Sequence, residues 1–509
     1  MAEHRERWAS RPAFIMAAIG SAIGLGNVWR FPGVAFNNGG GAFFIPYFIA
    51  LITAGIPLMI VEYGVGSWLQ GSAPKSYGKL GKRFEWIGWW AVLVGLVISF
   101  YYCVILAWSW VYLWESIKSF FGSSLPWTRD HAGDYFTNTI LERTGSPASP
   151  WDFGKLVGPT VIGLGLTWLA IYYSIAKGVL RVGKIVMITV PLPLILLLLL
   201  VLRGLTLPGA SDGLAYYLTP DWSKLLDSQT WIAAYGQVFF SLSVGWGILI
   251  AYASYMSKKA DVVNNALITS FANCGFSFLA GFAVFSTVGY LGVALNMPVG
   301  DIKATSFDLA FTTYPTAIEN FPVGHALQAL TAVAFFLMLL SLGIDSAFSI
   351  VEAVATAMYD KFRIRRETLT RLLCIGGFVM GLVFCFGSGL YWLDITDKFM
   401  GDYGLALVAL VQALLIGWMI PREKLRLFTG NINERSEVTV GAPWRICLRY
   451  ITPIALGTSI VVATSKRFAG GYGGYPGYAL LISGVLPVAM VVVIAFVLQS
   501  MKGRGDAES

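Results

Sequence analysis

The sequence predicts an all-α membrane protein of about twelve transmembrane helices, and three observations predict it. The chain of 509 residues is 56% hydrophobic and only 13% charged, with a mean hydropathy of +0.67. A soluble protein of that length needs far more charged surface. Apolar runs of about 20 residues, long enough to cross a bilayer core, recur from one end to the other. The runs are continuously apolar, as in LILLLLLVL at 194–202, and not alternating. Hydrocarbon offers bare backbone no partner, so such spans are helices or strands of a closed barrel, and continuous apolarity selects helices.

The expected spans are 12–36, 42–70, 88–123, 157–176, 184–204, 230–256, 262–294, 326–359, 369–388, 403–421, 442–466 and 477–500. No small-residue cleavage site marks a signal peptide, so the first span is expected to stay in the mature protein. Alternate loops are basic. Arg5, Arg7 and Arg11 precede the first span, and Lys75, Lys79, Lys82 and Arg83 follow the second. Lys177, Arg181 and Lys184 follow the fourth, and Lys361, Arg363, Arg365, Arg366 and Arg371 follow the eighth. The positive-inside rule then puts both termini in the cytoplasm and 124–156, 205–229 and 295–325 outside. The last of these loops is long enough to fold back on the protein.

The basic residues are scattered over these loops, so the net charge of +8 does not indicate a nucleic-acid surface. Cys103, Cys274, Cys374, Cys385 and Cys447 all fall in apolar spans without metal-ligand spacing, and read as small buried hydrophobes. The three histidines, His4, His131 and His325, lie away from mid-span, and no nucleophile–base pair stands at a recognisable spacing. No enzyme is indicated.

The most informative feature is internal. GSAIGLGN at 20–27 and FSLSVGWG at 240–247 set small, polar and glycine residues in mid-span, in the first and sixth spans. Glycine there costs helix stability. A matched pair of interrupted spans in the two halves marks an inverted-repeat transporter with its site at the bilayer midplane; the plainer alternative is a close-packed Gly/Ser helix face. The organisation expected is a five-plus-five inverted repeat, with spans one to five in 1–204, spans six to ten in 205–421, and the last two spans and tail in 422–509. Asp345, in LGIDS, is a carboxylate inside a span, where it is costly and calls for a partner or a cation.

Four stretches carry a resemblance: GSAIGLGNVWRFPGVAFNNGGGAFFIPY at 20–47, QVFFSLSVGWGILIAYASY at 237–255, NCGFSFLAGF at 273–282 and LGIDSAF at 342–348. Together they resemble the neurotransmitter:sodium symporter family, over nearly the whole chain. The short tails resemble its prokaryotic, amino-acid-carrying members. The resemblance implies unwound helices one and six, two Na+ sites and alternating access in the cell (inner) membrane. It implies no nucleic-acid partner, lipid around the spans, and a monomer or loose dimer.

The same resemblance assigns residues. Substrate would be held by Ser21, Ala22, Gly24, Leu25, Gly26, Ile98, Tyr102, Phe240, Ser241, Ser243, Trp246, Ser346 and Ile350. N–H groups freed by a broken helix suit a carboxylate, and freed carbonyls suit Na+. Monoamine carriers of the family hold an aspartate where this chain has Gly24, so Gly24 leaves room for a substrate's own carboxylate. Trp246, shared with glycine carriers, subtracts volume. The expected substrate is a glycine- or alanine-like amino acid; a larger hydrophobic amino acid or a GABA- or taurine-type substrate is the alternative.

The first Na+ site would use Ala22, Asn27, Ser241 and Asn273, and the second Gly20, Ile23, Leu342, Asp345 and Ser346. An outer gate would pair Arg30 with Asp397, with Asp394 and Asp402 as rivals. An inner gate would pair Arg5 with Asp360 under Trp8 and Tyr255. Chloride-independent relatives carry an acid four residues after the sodium-binding asparagine of the seventh helix. Here that place is Ser277, so Tyr47, Gln237, Ser241 and Ser277 are expected to hold Cl−; the alternative is a chloride-independent variant. The family often has Gly and Pro ten residues apart at the start of helix five. Gly178 is followed at that distance by Ile188, with prolines only at Pro191 and Pro193, which shifts the expected opening point along the helix. A channel or a substrate-sensing receptor on the same scaffold, and proton-coupled exchange, are the rival functions.

Overall fold

The computed structural model describes residues 6–122, 124–127, 132–302 and 306–503. Arg5, His4 and His131 lie outside the described residues. Among those described there are helices and isolated bridges but no strand.

Ten helices are long and apolar enough to cross a membrane. They are α3 (Gly41–Leu69), α4 (Lys82–Phe120), α5 (Gly158–Ile175), α6 (Val179–Leu205), α9 (Val262–Leu295), α10 (His325–Phe362), α11 (Arg366–Cys385), α12 (Gly389–Met419), α13 (Ala442–Arg467) and α14 (Gly477–Ser500). An eleventh span is a pair, α1 (Arg11–Ala22) and α2 (Leu25–Asn37), bent by 64°. The sixth expected span is α7 (Ser228–Ser241) and α8 (Ile248–Ala253), separated by residues 242–247. Every expected span has a counterpart, and one needs correction. The tenth was expected at 403–421 and begins at Gly389. Asp394, Asp397, Lys398 and Asp402 depress the hydropathy of its first half, which is helical all the same.

α4 and α10 run against each other at the centre. The apolar window of α4 is 78% buried, while those of α13 and α14 are 17% buried. Core and lipid-facing helices are thus distinguished by neighbours and not by hydropathy, which is high in all of them. Loop segments fold back over one end of the bundle. The Tyr112 hydroxyl donates to Phe311 O (2.7 Å) and the Trp127 indole to Pro315 O (3.0 Å). At the opposite end both described termini meet the bundle: Trp8 donates its indole N–H to Tyr252 O, 2.9 Å away, and Gly503 packs on Lys361.

The two interruptions differ in backbone. At the first, Ile23 and Gly24 are extended. At the second, Ser243, Gly245 and Gly247 all have positive φ, of 54°, 88° and 73°. Glycine takes that conformation without strain and serine does not. Ser243 is held there by donating its hydroxyl to Ser21 O, at 2.9 Å, which joins the two interruptions directly. Glu62, fully buried on α3, accepts from Gly245 N–H (2.8 Å) and from Gln412 Nε2 (3.1 Å). In α6, Pro191 and Pro193 remove two ladder N–H groups. The chain divides there at Val190, and Ser341 on α10 donates to Thr189 O at 2.9 Å.

Glu62→Ala leaves the Gly245 N–H and the Gln412 amide without their acceptor. Bonds to a charged group are worth about 1.5–3 kcal/mol each. We expect the variant to melt several degrees lower in detergent, followed by intrinsic fluorescence, with Glu62→Gln in between; equal melting of all three would remove Glu62 as the brace of the second interruption.

Candidate functional site

A cavity of about 260 Å³ opens between the two interruptions. All the residues expected around a substrate line it: Ser21, Ala22, Gly24, Leu25 and Gly26 from α1 and α2, Ile98 and Tyr102 from α4, Phe240, Ser241, Ser243 and Trp246 from the α7–α8 break, and Ser346 and Ile350 from α10. Glycines 24 and 26 are there for space, since neither has positive φ. A Cβ on Gly24 would stand 2.8 Å from Ser346 Oγ and 3.3 Å from the Tyr102 hydroxyl, and one on Gly26 would stand 2.8 Å from the Phe240 ring. The Tyr102 hydroxyl accepts from Leu25 N–H at 3.4 Å. Ser21 Oγ and Trp246 Nε1 are buried without a hydrogen-bond partner.

Beneath Gly24 lies a cluster of amides and carbonyls. Asn27 Oδ1 accepts from Gly24 N–H at 2.9 Å, so its Nδ2 is a donor, and it reaches the Asn273 side chain at 2.8 Å. The Asn273 atom it meets is therefore the carbonyl oxygen. That oxygen also faces Ala22 O at 3.1 Å and Ser241 O at 3.2 Å. Three oxygens converging on one another are unfavourable by themselves and make a donor set that suits a hard cation.

The second expected cation group also comes together. Ser346 Oγ is 3.5 Å from Gly20 O and 3.4 Å from Ile23 O. Asp345 is 2% exposed, and its Oδ1 has no hydrogen-bond partner. A Cβ on Gly20 would lie 3.1 Å from Asp345 Oδ2, so the carboxylate faces the interruption. Leu342 is buried one turn earlier on α10. A buried carboxylate oxygen without a partner, beside carbonyls that share one serine hydroxyl, fits a monovalent cation and does not fit an empty apolar core.

Of the four residues expected at an anion, Tyr47, Ser241 and Ser277 adjoin, and Gln237 stands one turn before Ser241 on α7. The Tyr47 hydroxyl faces Cys274 Sγ at 3.3 Å and the hydroxyls of Ser241 and Ser277. Ser277 Oγ accepts from Asn27 Nδ2 at 2.7 Å. Gln237, 1% exposed, has neither amide atom partnered. Tyr47, Gln237 and Ser241 can each offer a donor to an anion here, and Ser277, which donates to Asn273 O at 3.1 Å, joins them by turning its hydroxyl.

The expected gates are arranged unequally. Arg30 and Asp397 both line the cavity, but Arg30 lies over the Phe240 ring, 4.1 Å from its centre, and Asp397 accepts from the Tyr101 hydroxyl at 2.8 Å. The rivals are engaged elsewhere: Asp394 accepts from Tyr472 and Tyr475, each at 2.9 Å, and Asp402 from Arg467 at 2.7 Å. Arg5 lies outside the described residues. Asp360 accepts from Ser72 N–H (2.8 Å) and stands 4.0 Å from Lys75. Trp8 packs edge-on to Tyr252 and Tyr255, and Tyr255 bonds Thr356 at 2.9 Å. Arg366 closes this side by pairing with Glu352. The cavity runs from Ser21 to Asp394, Lys398 and Tyr472, so it is open toward the end away from the termini.

Three features were not foreseen. Glu62 braces the second interruption; the logic that singled out Asp345, an acid inside a span, applies equally to it. Phe307, in a short helix between spans, and Tyr472, in a loop, also reach the cavity, from segments where sequence gives no register. Thr189, bonded to Ser341, marks where α6 divides.

A family model described as the sodium:neurotransmitter symporter family matches residues 5–147 and 128–503. An uncharacterized sodium-dependent transporter of Methanocaldococcus jannaschii is 40% identical over 499 residues, covering 98% of each chain. The sodium-dependent dopamine transporter of Bos taurus is 32% identical over 526 aligned positions, with 97% of this chain and 74% of that one covered. The sodium-dependent serotonin transporter of Drosophila melanogaster is 32% identical over 533 positions, with 98% and 84% covered. Matches of this length, together with interrupted spans that meet at one cavity, mean that the chain is a transporter, not an enzyme, and belongs to the sodium:neurotransmitter symporter family.

Proposed function

We propose that this chain carries a small neutral amino acid, glycine- or alanine-like, by symport with Na+ and Cl− through alternating access. It acts in the plasma membrane with both termini in the cytoplasm. Asp345 carries the reading: a buried carboxylate oxygen without a hydrogen-bond partner, set against the carbonyls of a broken helix. A cation there neutralises the acid and binds the freed backbone together. At the first site the Ala22, Ser241 and Asn273 oxygens hold the other Na+, with the substrate carboxylate as a further ligand and Asn27, whose Oδ1 accepts from Gly24 N–H, completing the set expected there.

Gly24 decides the kind of substrate. No protein carboxylate stands at this point to meet an amine, and the Tyr102 hydroxyl and the Leu25 and Gly26 N–H groups border the space. A substrate that brings its own carboxylate fits these donors. Ser21 Oγ and Trp246 Nε1 are further polar atoms without internal partners on the cavity wall. Two Na+ ions near one substrate carboxylate and Asp345 leave no protein charge for the first site. Cl− at Tyr47, Gln237, Ser241 and Ser277 supplies it.

The test is uptake of labelled amino acids into proteoliposomes under imposed ion gradients. Asp345→Ala is expected to reduce Na+-driven uptake to background; uptake at the unmodified rate would falsify the second Na+ assignment. Gly24→Ala sets a methyl group 2.8 Å from Ser346 Oγ. Overpacking costs about 1–3 kcal/mol, so substrate affinity should fall by about tenfold or more, and Gly24→Asp, which adds like-charge repulsion, should abolish binding. Unchanged affinity in both variants rules out the proposed pose. Replacing Cl− with gluconate on both sides should stop uptake, and Ser277→Glu should restore it. Full uptake by the unmodified protein in gluconate overturns the Cl− assignment.

A further inference from the structure

The substrate cavity has a neighbour of about 420 Å³. It lies behind Arg30 and Phe240, among α2, α7, α12 and α13. Arg30, Phe240, Lys398 and Tyr472 belong to both walls and form a partition. The two sides of that partition carry different charge. The substrate side has the carboxylates Asp394 and Asp397. The far side has Lys466 and Arg467, and its one carboxylate is Asp402. Asp402 is already committed, to Arg467 at 2.7 Å and to Lys398 at 3.2 Å. The rest of the wall is largely apolar, with Ile232, Leu405, Leu456 and Val462.

Two buried polar groups on this wall have unpartnered atoms. Arg467 Nη1 is one, and Gln237, with neither amide atom partnered, is the other. Gln237 stands one helical turn before Ser241, on the same face of α7. It therefore touches both this space and the group of residues read above as the Cl− site.

We propose that this space is an anion antechamber: it draws a small monovalent inorganic anion, chloride or bromide, from the solvent and passes it to Gln237, apart from the route taken by Na+ and substrate. The proposal rests on the reading of Tyr47, Gln237, Ser241 and Ser277 as a Cl− site. Arg30, Lys398, Lys466 and Arg467 against Asp402 give this cleft a net positive charge, and a low-dielectric cleft of net charge focuses the field and raises on-rates by about 10–10³-fold. The partition sorts the solutes. Na+ and an ammonium group are drawn to the side of Asp394 and Asp397, and an anion to the side of Lys466 and Arg467. Oppositely charged solutes then do not contend for one narrow passage.

Gly401 lines this space and not the substrate cavity, and a Cβ there meets nothing within 4 Å. A side chain there starts without a clash at its Cβ and can reach into the space as a plug. The experiment uses the full chain in lipid nanodiscs in sodium gluconate. Chloride is added in a stopped-flow mixer, tryptophan fluorescence reads the on-rate, and a chloride titration of the same signal reads affinity. Gly401→Leu is expected to slow the on-rate by about tenfold while affinity stays within about twofold, because a plug slows both directions. Lys466→Glu should slow it by about threefold or more and flatten its dependence on ionic strength. Na+-dependent amino-acid binding in saturating chloride should be unchanged in both. If both variants take up chloride at the unmodified rate, the antechamber is overturned. The same holds if they weaken amino-acid binding and leave chloride untouched, which would make the space part of the substrate route. If the unmodified protein responds to chloride in neither fluorescence nor uptake, the Cl− site itself fails and this proposal with it.

Discussion

A backbone N–H or C=O in the middle of a bilayer must find a partner inside the protein, because hydrocarbon supplies none and an orphan costs several kcal/mol. Two spans of this chain break at mid-depth, so both generate such groups in quantity. The Ser243 hydroxyl closes one of them onto the other by bonding Ser21 O. Asn27 caps Gly24, and Glu62 caps Gly245. The carbonyls of Gly20, Ala22 and Ile23 are left facing side-chain oxygens of Asn273, Asp345 and Ser346. The proposed binding site is what the internal pairing leaves over. Its chemistry follows from that remainder: N–H groups and hydroxyls above, carbonyls and a carboxylate below.

Closure at the two ends is built from different forces. Toward the termini, Trp8, Tyr252, Tyr255, Thr356, Arg366 and Glu352 form a packed and bonded seal. Away from the termini, Arg30 rests on an aromatic face instead of a carboxylate, and Asp397 is satisfied by a tyrosine. A cation on a ring is worth about 0.5–2 kcal/mol. In the proposed alternating-access cycle, exchanging Phe240 for Asp397 as the partner of Arg30 is then a small energetic step. The Arg30–Phe240 pair is also a divider between an acidic and a basic side of the same vestibule.

The spans and the interruptions were legible because they are written in residue identity. Continuous apolarity marks the helices, and glycine and serine at mid-depth mark the breaks. Asp345 was legible because an acid in a span has few innocent explanations. Glu62 satisfies the same criterion, but it needs the position of Gly245, which only the folded chain supplies. The start of α12 was missed because four charged residues in about two and a half turns look like a loop to hydropathy. They are tolerable because tyrosines and Arg467 surround them. The Arg30 partner was open for the same reason: three acids lie on one helix, and spacing alone does not say which is already occupied by Tyr101, Tyr472 or Arg467.

The bond between Ser243 and Ser21 joins residues 222 positions apart, and that between Trp8 and Tyr252 joins residues 244 apart. During synthesis the first half-helix emerges long before either partner exists. At about 5–20 residues per second, Ser21 waits roughly 10–40 s for Ser243. Through that interval the amino-terminal span has its own Asn27 cap on Gly24 but no complement for Ser21 O. It must stay as a regular, unbroken helix, or shelter at the insertion machinery or the lipid interface, until the second half of the chain arrives. The kink that defines the mature transporter is thus a late event in its biogenesis. Truncation before residue 243 leaves a nascent chain whose first span lacks the bond that ties its break to the second.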